Sequence, residues 1–151
     1  MPNETAAPPT LQVRRTIRAP RQRVFDAWTK TEELKQWHAP GPLTVTFAEI
    51  DLRPGGRYRI HMTEPNGTDH KASGVYLEID PPKKLVYSWG WDGDHPVKES
   101  TVTLELIDRG DSTEVVLTHS GIAHDKERQS HTEGWTAILD KLAAHFEATT
   151  R

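Results

Sequence analysis

Eight histidines are spread along a chain of 151 residues that has no cysteine. Imidazole titrates near neutrality and ligates metals, so these are the first residues to test for chemistry. No two of them stand at an HExxH spacing and no acidic cluster joins them, so neither a metal site nor a cofactor is expected. His119 shares the parity of Val115 and Leu117 in an alternating run and is expected to point inward. His124 and His131 are seven apart, about two turns if one helix carries both, and would either bracket a pocket mouth or face water. His38, His61, His70 and His95 fall on predicted edges or loops and read as solvated, while His145 has no evident partner. Among the carboxylates, Glu78 shares parity with Gly74 and Tyr76; if buried, its raised pKa would suit acid–base work. Asp92 and Asp94 lie beside Trp91 in a loop and read as a solvated turn or part of a lid. The catalytic candidates are therefore Glu78, His119 and His131. Gly55-Gly56 precedes a strand, not the helix a phosphate loop needs, and no GxSxG or thiol nucleophile exists.

The other chemistry available is recognition. Five tryptophans are many for this length, and several fall on predicted inner faces beside tyrosines. A ligand site needs a mostly apolar wall with a few aimed polar groups. Trp37, Tyr58, Ile60, Met62, Tyr87 and Trp89 are candidate liners. Trp91, Leu104, Trp135 and Leu139 complete the set, with Val102 and Leu142 sharing the same interior. The alternative is that these side chains simply fill the core.

The elements that would position them follow from periodicity. Trp135, Ile138, Leu139, Leu142 and Phe146 are spaced by three and four, which places them on one face of a helix over the stretch 130–146. Ser130 with Glu133 fits a capping box, and a start nearer Asp125 is the alternative. Residues 11–19 alternate as a strand in which Arg15 breaks the pattern. Pro20 suits the first turn of a short helix with Val24, Phe25, Ala27 and Trp28 inward, and Thr31 can cap a second one. From Leu43 the period is two, with a register slip expected near Ala48-Glu49. Turns at Pro54-Gly55-Gly56, Asn66-Gly67, Pro81-Pro82 and Arg109-Gly110-Asp111 separate strands around 57–62, 72–79, 85–91, 101–107 and 113–119. Hairpin-length turns make the sheet antiparallel, and the long helix must cover its apolar face.

Bulk properties narrow the function classes. Residues 1–9 lack periodicity and read as a flexible tail, with one domain over 10–151. A formal charge of −3 with interspersed signs argues against a nucleic-acid partner. No run of about 18 apolar residues exists, so no membrane insertion is expected, and the absence of a signal region points to the cytoplasm.

In order along the chain, IRAPRQRVFDAWT, LKQWHAP, LRPGGRYRIHM, SGVYLEIDPPKKLVYSW, STVTLELIDRGDSTEVVLTHSG and HTEGWTAILDKLAAHF carry a family resemblance. Together they resemble the SRPBCC superfamily, also called START-like or birch-pollen-allergen-like, and within it the AHSA-type family homologous to the activator of the heat-shock chaperone ATPase. The resemblance implies an α+β helix-grip fold. A curved antiparallel sheet of about six or seven strands would wrap a long C-terminal helix, with two short helices after the first strand. It also implies a cavity between sheet and helix that takes a hydrophobic small molecule. A polyketide cyclase- or hydrolase-like enzyme using the same cavity is the first alternative, and a co-chaperone-like interaction module the second. The chaperone-binding domain of the name-giving co-chaperones is not expected here, so neither is a chaperone partner. A homodimer through a sheet edge remains open. If Trp135 is fully buried, Trp135→Ala is expected to lose roughly 3–5 kcal/mol of stability in urea denaturation.

Overall fold

A computed structural model describes residues 10–93, 97 and 99–149. The expected tail over 1–9 lies outside the described residues, as do Asp94 and His95. The element order is β1 (Thr10–Ile17), α1 (Arg21–Thr29), α2 (Thr31–Leu34), β2 (Thr44–Ile50), β3 (Arg57–Thr63), β4 (Asp69–Asp80), β5 (Lys84–Trp91), β6 (Ser100–Asp108), β7 (Thr113–Ser120) and α3 (Asp125–Thr149). Seven strands form one antiparallel, curved, open sheet in the order β1-β7-β6-β5-β4-β3-β2. Strands β2 to β7 are sheet neighbours in chain order, and β1 joins the far side by pairing with β7, Leu11 opposite His119 and Val13 opposite Leu117. The long helix α3 packs beside β1. This is the α+β helix-grip arrangement.

Alternation puts Tyr58, Ile60 and Met62 of β3 into the core, with Leu85, Tyr87 and Trp89 of β5 beside them. Val102, Leu104 and Leu106 of β6 and Val115, Leu117 and His119 of β7 continue the same face. Leu139, Leu142, Ala143 and Phe146 of α3 cover it. Arg15, the misfit in β1, stays exposed and reaches Asp140 of α3 at 3.5 Å.

Several boundaries differ from the sequence expectation. Helix α3 begins at Asp125, one turn and more before Ser130, so the Ser130–Glu133 capping box does not form. Arg128 secures the true start instead, donating through Nη1 to the carbonyls of Ile122 and Ala123 at 2.7 and 3.2 Å. Pro20 stands at the N-cap of α1, and Thr31 is the first residue of α2 without a side-chain cap. The β2 irregularity falls between Val45 and Phe47 rather than near Ala48-Glu49. It turns Phe47 outward and leaves Ala48 and Ile50 against the core.

At Gly74 of β4 the β5 backbone leaves no room for a side chain. A Cβ there would lie 2.0 Å from the Ser88 carbonyl oxygen and 2.7 Å from Ser88 Oγ. That carbonyl also accepts the Tyr58 hydroxyl at 2.5 Å, and Ser88 Oγ accepts the Val75 amide at 2.9 Å. Neither oxygen can retreat without breaking a bond. Gly74→Ala is therefore expected to lose about 1–3 kcal/mol, the usual cost of overpacking, seen as a lower urea midpoint at unchanged m-value.

Candidate functional site

Between sheet and helix lies a cleft of about 270 Å³. One face of α3 forms a wall: Glu127, Ser130, His131, Gly134, Trp135 and Ile138 are spaced by three and one, so they stack along the helix. Trp89 and Trp91 of β5 and Met62 of β3 form the opposite wall. His70 of β4 and the α2–β2 connection, through Pro40 and Leu43, complete the lining. Lys141 Nζ donates to the Leu43 carbonyl at 3.1 Å and ties that connection to α3; burial holds its pKa below the ordinary lysine value. Three indoles meet in the cleft, with Trp89–Trp91 centroids 5.3 Å apart at 89° and Trp89–Trp135 at 5.1 Å.

At Gly134 the helix carries no side chain, and a Cβ built there would meet nothing within 4 Å. The space persists because this position and the indole edges leave it unfilled.

Two indole–imidazole bonds cross between the layers in opposite senses. Trp91 Nε1 of the sheet donates to His131 Nε2 of the helix at 3.0 Å. Trp135 Nε1 of the helix donates to His119 Nδ1 of the sheet, also at 3.0 Å. Each acceptor assigns a tautomer. His131 then donates through Nδ1 to the Glu127 carbonyl at 2.8 Å. His119 donates through Nε2 to Ser100 Oγ at 2.7 Å, and that hydroxyl donates onward to the Trp89 carbonyl at 2.7 Å. Burial, with the neighbouring His131 adding to it, pushes the His119 pKa down to about 3.

The catalytic candidates separate accordingly. His119 and His131 come together, ring centroids 5.4 Å apart, but both nitrogens of each ring are engaged within the protein. Glu78 goes elsewhere. An irregularity between Tyr76 and Glu78 sets Tyr76 opposite inward Tyr87 and Glu78 opposite Val86, so Glu78 is exposed and pairs with Lys84 at 3.7 Å. Parity counting fails there because β4 gains one residue. Asp92 is exposed at the end of β5.

Of the expected liners, Met62, Trp89, Trp91 and Trp135 face the cleft. Tyr58, Ile60 and Tyr87 instead surround a second void of about 10 Å³ with Trp28, His38 and Tyr76, room for about one water. The Tyr58 hydroxyl is committed to Ser88, and Tyr87 accepts from Trp28 Nε1 at 3.2 Å. Burial holds the pKa of each of these three tyrosines above the ordinary value. Trp37, Leu104 and Leu139 are buried and line neither space. Pro40, Leu43, His70, Glu127, Ser130, Gly134 and Ile138 were not anticipated as liners; helical spacing from Trp135 reaches Ile138 at i+3 and Glu127 two turns back at i−8, and no local signal marks the others.

The histidines also need correcting. His38, expected in solvent, is 1% exposed. Tight turns after α2, with the His38 amide bonded to the Leu34 carbonyl and the Ala39 amide to that of Trp37, fold it inward against Trp37, Trp89 and Trp135. Burial lowers its pKa to about 4. His61 is half-buried against Phe47, and its Nε2 is a buried atom without a partner. His70 meets Glu64 at 2.6 Å and is half-buried. His145 does have a partner, Glu33 at 3.1 Å. Burial raises the Glu33 pKa, but bonds from Arg23 and His145 outweigh it and hold the carboxyl below its ordinary value. Among the described residues, no three His, Asp or Glu gather to hold a metal, and no helix is long and apolar enough to cross a membrane.

Residues 18–147 match the family described as "Activator of Hsp90 ATPase homolog 1-like protein". The human "Activator of 90 kDa heat shock protein ATPase homolog 1" is 31% identical over 108 residues, 70% of this chain and 27% of that protein, so the chain spans about a quarter of its length. A protein of Chromobacterium violaceum has a similar structure, with a TM-score of 0.84, 26% identity, and 91% and 96% of the two chains covered. The AHSA1 protein from Silicibacter pomeroyi gives 0.81 and 28%, covering 93% and 99%.

Two of the buried histidines, His38 and His119, have folded pKa values below the ordinary 6.5. Between about pH 6.5 and pH 4 the unfolded chain binds protons that the folded chain refuses. Their contribution to stability is complete above that window and declines as pH falls through it. Urea denaturation at pH 5 should show uptake of about two protons by these groups on unfolding, reduced to about one in His119→Gln.

Proposed function

This protein belongs to the Activator of Hsp90 ATPase homolog 1-like family, and from that premise we propose that it holds an apolar small molecule between its sheet and its C-terminal helix. The observation that carries this reading is the cleft over Gly134, walled by three indoles, Met62 and Ile138. Its volume of about 270 Å³ lies near the lower end of small-molecule sites. Flat aromatic faces at right angles suit a planar or branched apolar body. The helix forgoes about 0.8–1 kcal/mol of helical propensity at Gly134 relative to alanine, a loss that an occupied cleft would offset.

The candidate site residues for this binding are Met62, Trp89, Trp91, Trp135, Gly134 and Ile138. The cyclase or hydrolase reading lacks a group to carry it, because the bonds of His119 and His131 leave neither ring a nitrogen for a substrate. The interaction-module reading draws on a likeness to part of a longer human protein and on the exposed side chains of Phe47, Leu52 and Leu77. It does not account for the cleft.

Because a Cβ at position 134 meets open space, Gly134→Leu is expected to fold at least as stably as the parent while filling the cleft. A thermal-shift screen of neutral aromatic and polycyclic compounds should raise the melting temperature of the parent with dose and leave Gly134→Leu unmoved. Equal shifts in both proteins would place the binding elsewhere, and no shift in the parent would overturn the reading.

A further inference from the structure

Two imidazoles line the cleft, and their hydrogen bonding differs. His131 has both ring nitrogens bonded, one to Trp91 and one to the Glu127 carbonyl. His70 has one. It stands opposite Met62 in the β3–β4 register and two residues before buried Ala72. Alternation therefore turns it to the inner face of the sheet, with the Trp91 ring 6.4 Å away. The hairpin turn between β3 and β4 brings Glu64 beside it. The Glu64 amide bonds to the Thr68 carbonyl and the Gly67 amide to the Glu64 carbonyl, both at 2.8 Å. Glu64 Oε2 then meets His70 Nε2 at 2.6 Å. An ionised carboxylate only accepts, so Nε2 carries the hydrogen and Nδ1 the lone pair. Nδ1 has no partner among the described residues and is not sealed in the core: the side chain is 42% exposed at the rim of the cleft it lines.

We propose that the cleft takes apolar molecules carrying a hydroxyl, and that His70 Nδ1 accepts the hydroxyl hydrogen. The inference rests on the binding reading above and names the chemical class bound. An apolar body lying against this ring displaces the water that the lone pair would otherwise hold. Without a hydrogen to offer, it leaves an acceptor bare, which is costly; a hydroxyl replaces the lost bond. Glu64 is a positioning residue. Its carboxylate fixes the tautomer, and by polarising the ring it makes the far nitrogen the better acceptor. A carboxylate ligand gains nothing here: at neutral pH it brings no hydrogen, and it would approach the like charge of Glu64.

Two probes of nearly one shape test this, 2-naphthol and 2-methoxynaphthalene, titrated by calorimetry at pH 7. Both carry the oxygen, and only the naphthol carries the hydrogen. The naphthol is expected to bind about five- to tenfold more tightly than the ether, the share of one hydrogen bond. In His70→Phe, which keeps an aromatic ring at a half-buried position, its affinity should fall to that of the ether. Imidazole ¹⁵N spectra of the unaltered protein answer the same question should that variant fail to fold. His70 should show the Nε2-protonated tautomer, with its Nδ1 resonance moved by the naphthol and not by the ether. Glu64→Ala should mix the two tautomers and shrink the preference, which a merely structural role for Glu64 would not do. Naphthol and ether bound equally, a preference that survives in His70→Phe, or a His70 protonated at Nδ1 overturns the assignment and leaves the binding reading standing. Binding of neither probe overturns both.

Discussion

Everything inside this molecule depends on two hydrogen bonds that run in opposite directions between its layers. The sheet lends an indole N–H to the helix at Trp91–His131, and the helix lends one to the sheet at Trp135–His119. A neutral buried hydrogen bond adds only about 0.5–1.5 kcal/mol net, but leaving its donor bare costs more. Because His131 and Trp135 are four apart on α3, both bonds form only at one rotation and one height of the helix. They therefore fix the register between layers as well as their attachment. Both require an imidazole lone pair, which is why desolvation at His119 is compatible with the fold: it favours the uncharged ring that the bond needs.

Around this cross-link the interior divides. On one side, hydrogen bonds are complete: His119 donates to Ser100 Oγ, and that hydroxyl donates to the Trp89 carbonyl. On the other, Trp37 Nε1, His38 Nδ1 and Trp89 Nε1 are buried without partners, although the rings touch, with Trp37–His38 centroids at 5.2 Å and His38–Trp89 at 6.1 Å. Buried polar atoms in folded proteins are nearly always satisfied. The seam of bare donors and acceptors thus lies where the two voids approach each other, at His38 and Trp89. Tyr58, Tyr76 and Tyr87 crowd the far void at centroid separations of 5.3–6.0 Å, apolar bodies inward.

Much of this was legible in the residues. Strand periodicity located the strands, helical spacing found the buried stripe of α3, and parity alone turned His119 inward. The failures share a cause: they turn on contacts distant in sequence. The sequence left the face of Glu78 open, because one extra residue in β4 reverses parity there and nothing local distinguishes it. His38 sits in a run that reads as a loop, and only the turn geometry after α2 carries it between four tryptophan neighbours. His145 and Glu33 are 112 residues apart in sequence. Of the residues around the cleft, Met62, Trp89, Trp91 and Trp135 were legible in the sequence and the rest were not, because an unfilled volume belongs to no residue. Gly134 reads in the sequence as a weak spot in a helix rather than as an opening.

The start of α3 has a dynamic consequence. Helix ends open and close far more readily than the interiors they lead to, and this one rests on Arg128 bonds to two loop carbonyls and on its contact with Asp125. Each excursion that reaches Glu127 withdraws the carbonyl that holds the His131 Nδ1 proton. The ring then loses the bond that fixes its tautomer, and the bond it accepts from Trp91 is weakened. The hydrogen bonding of an exposed helical turn and that of an indole on the sheet opposite are in this way coupled through one imidazole ring.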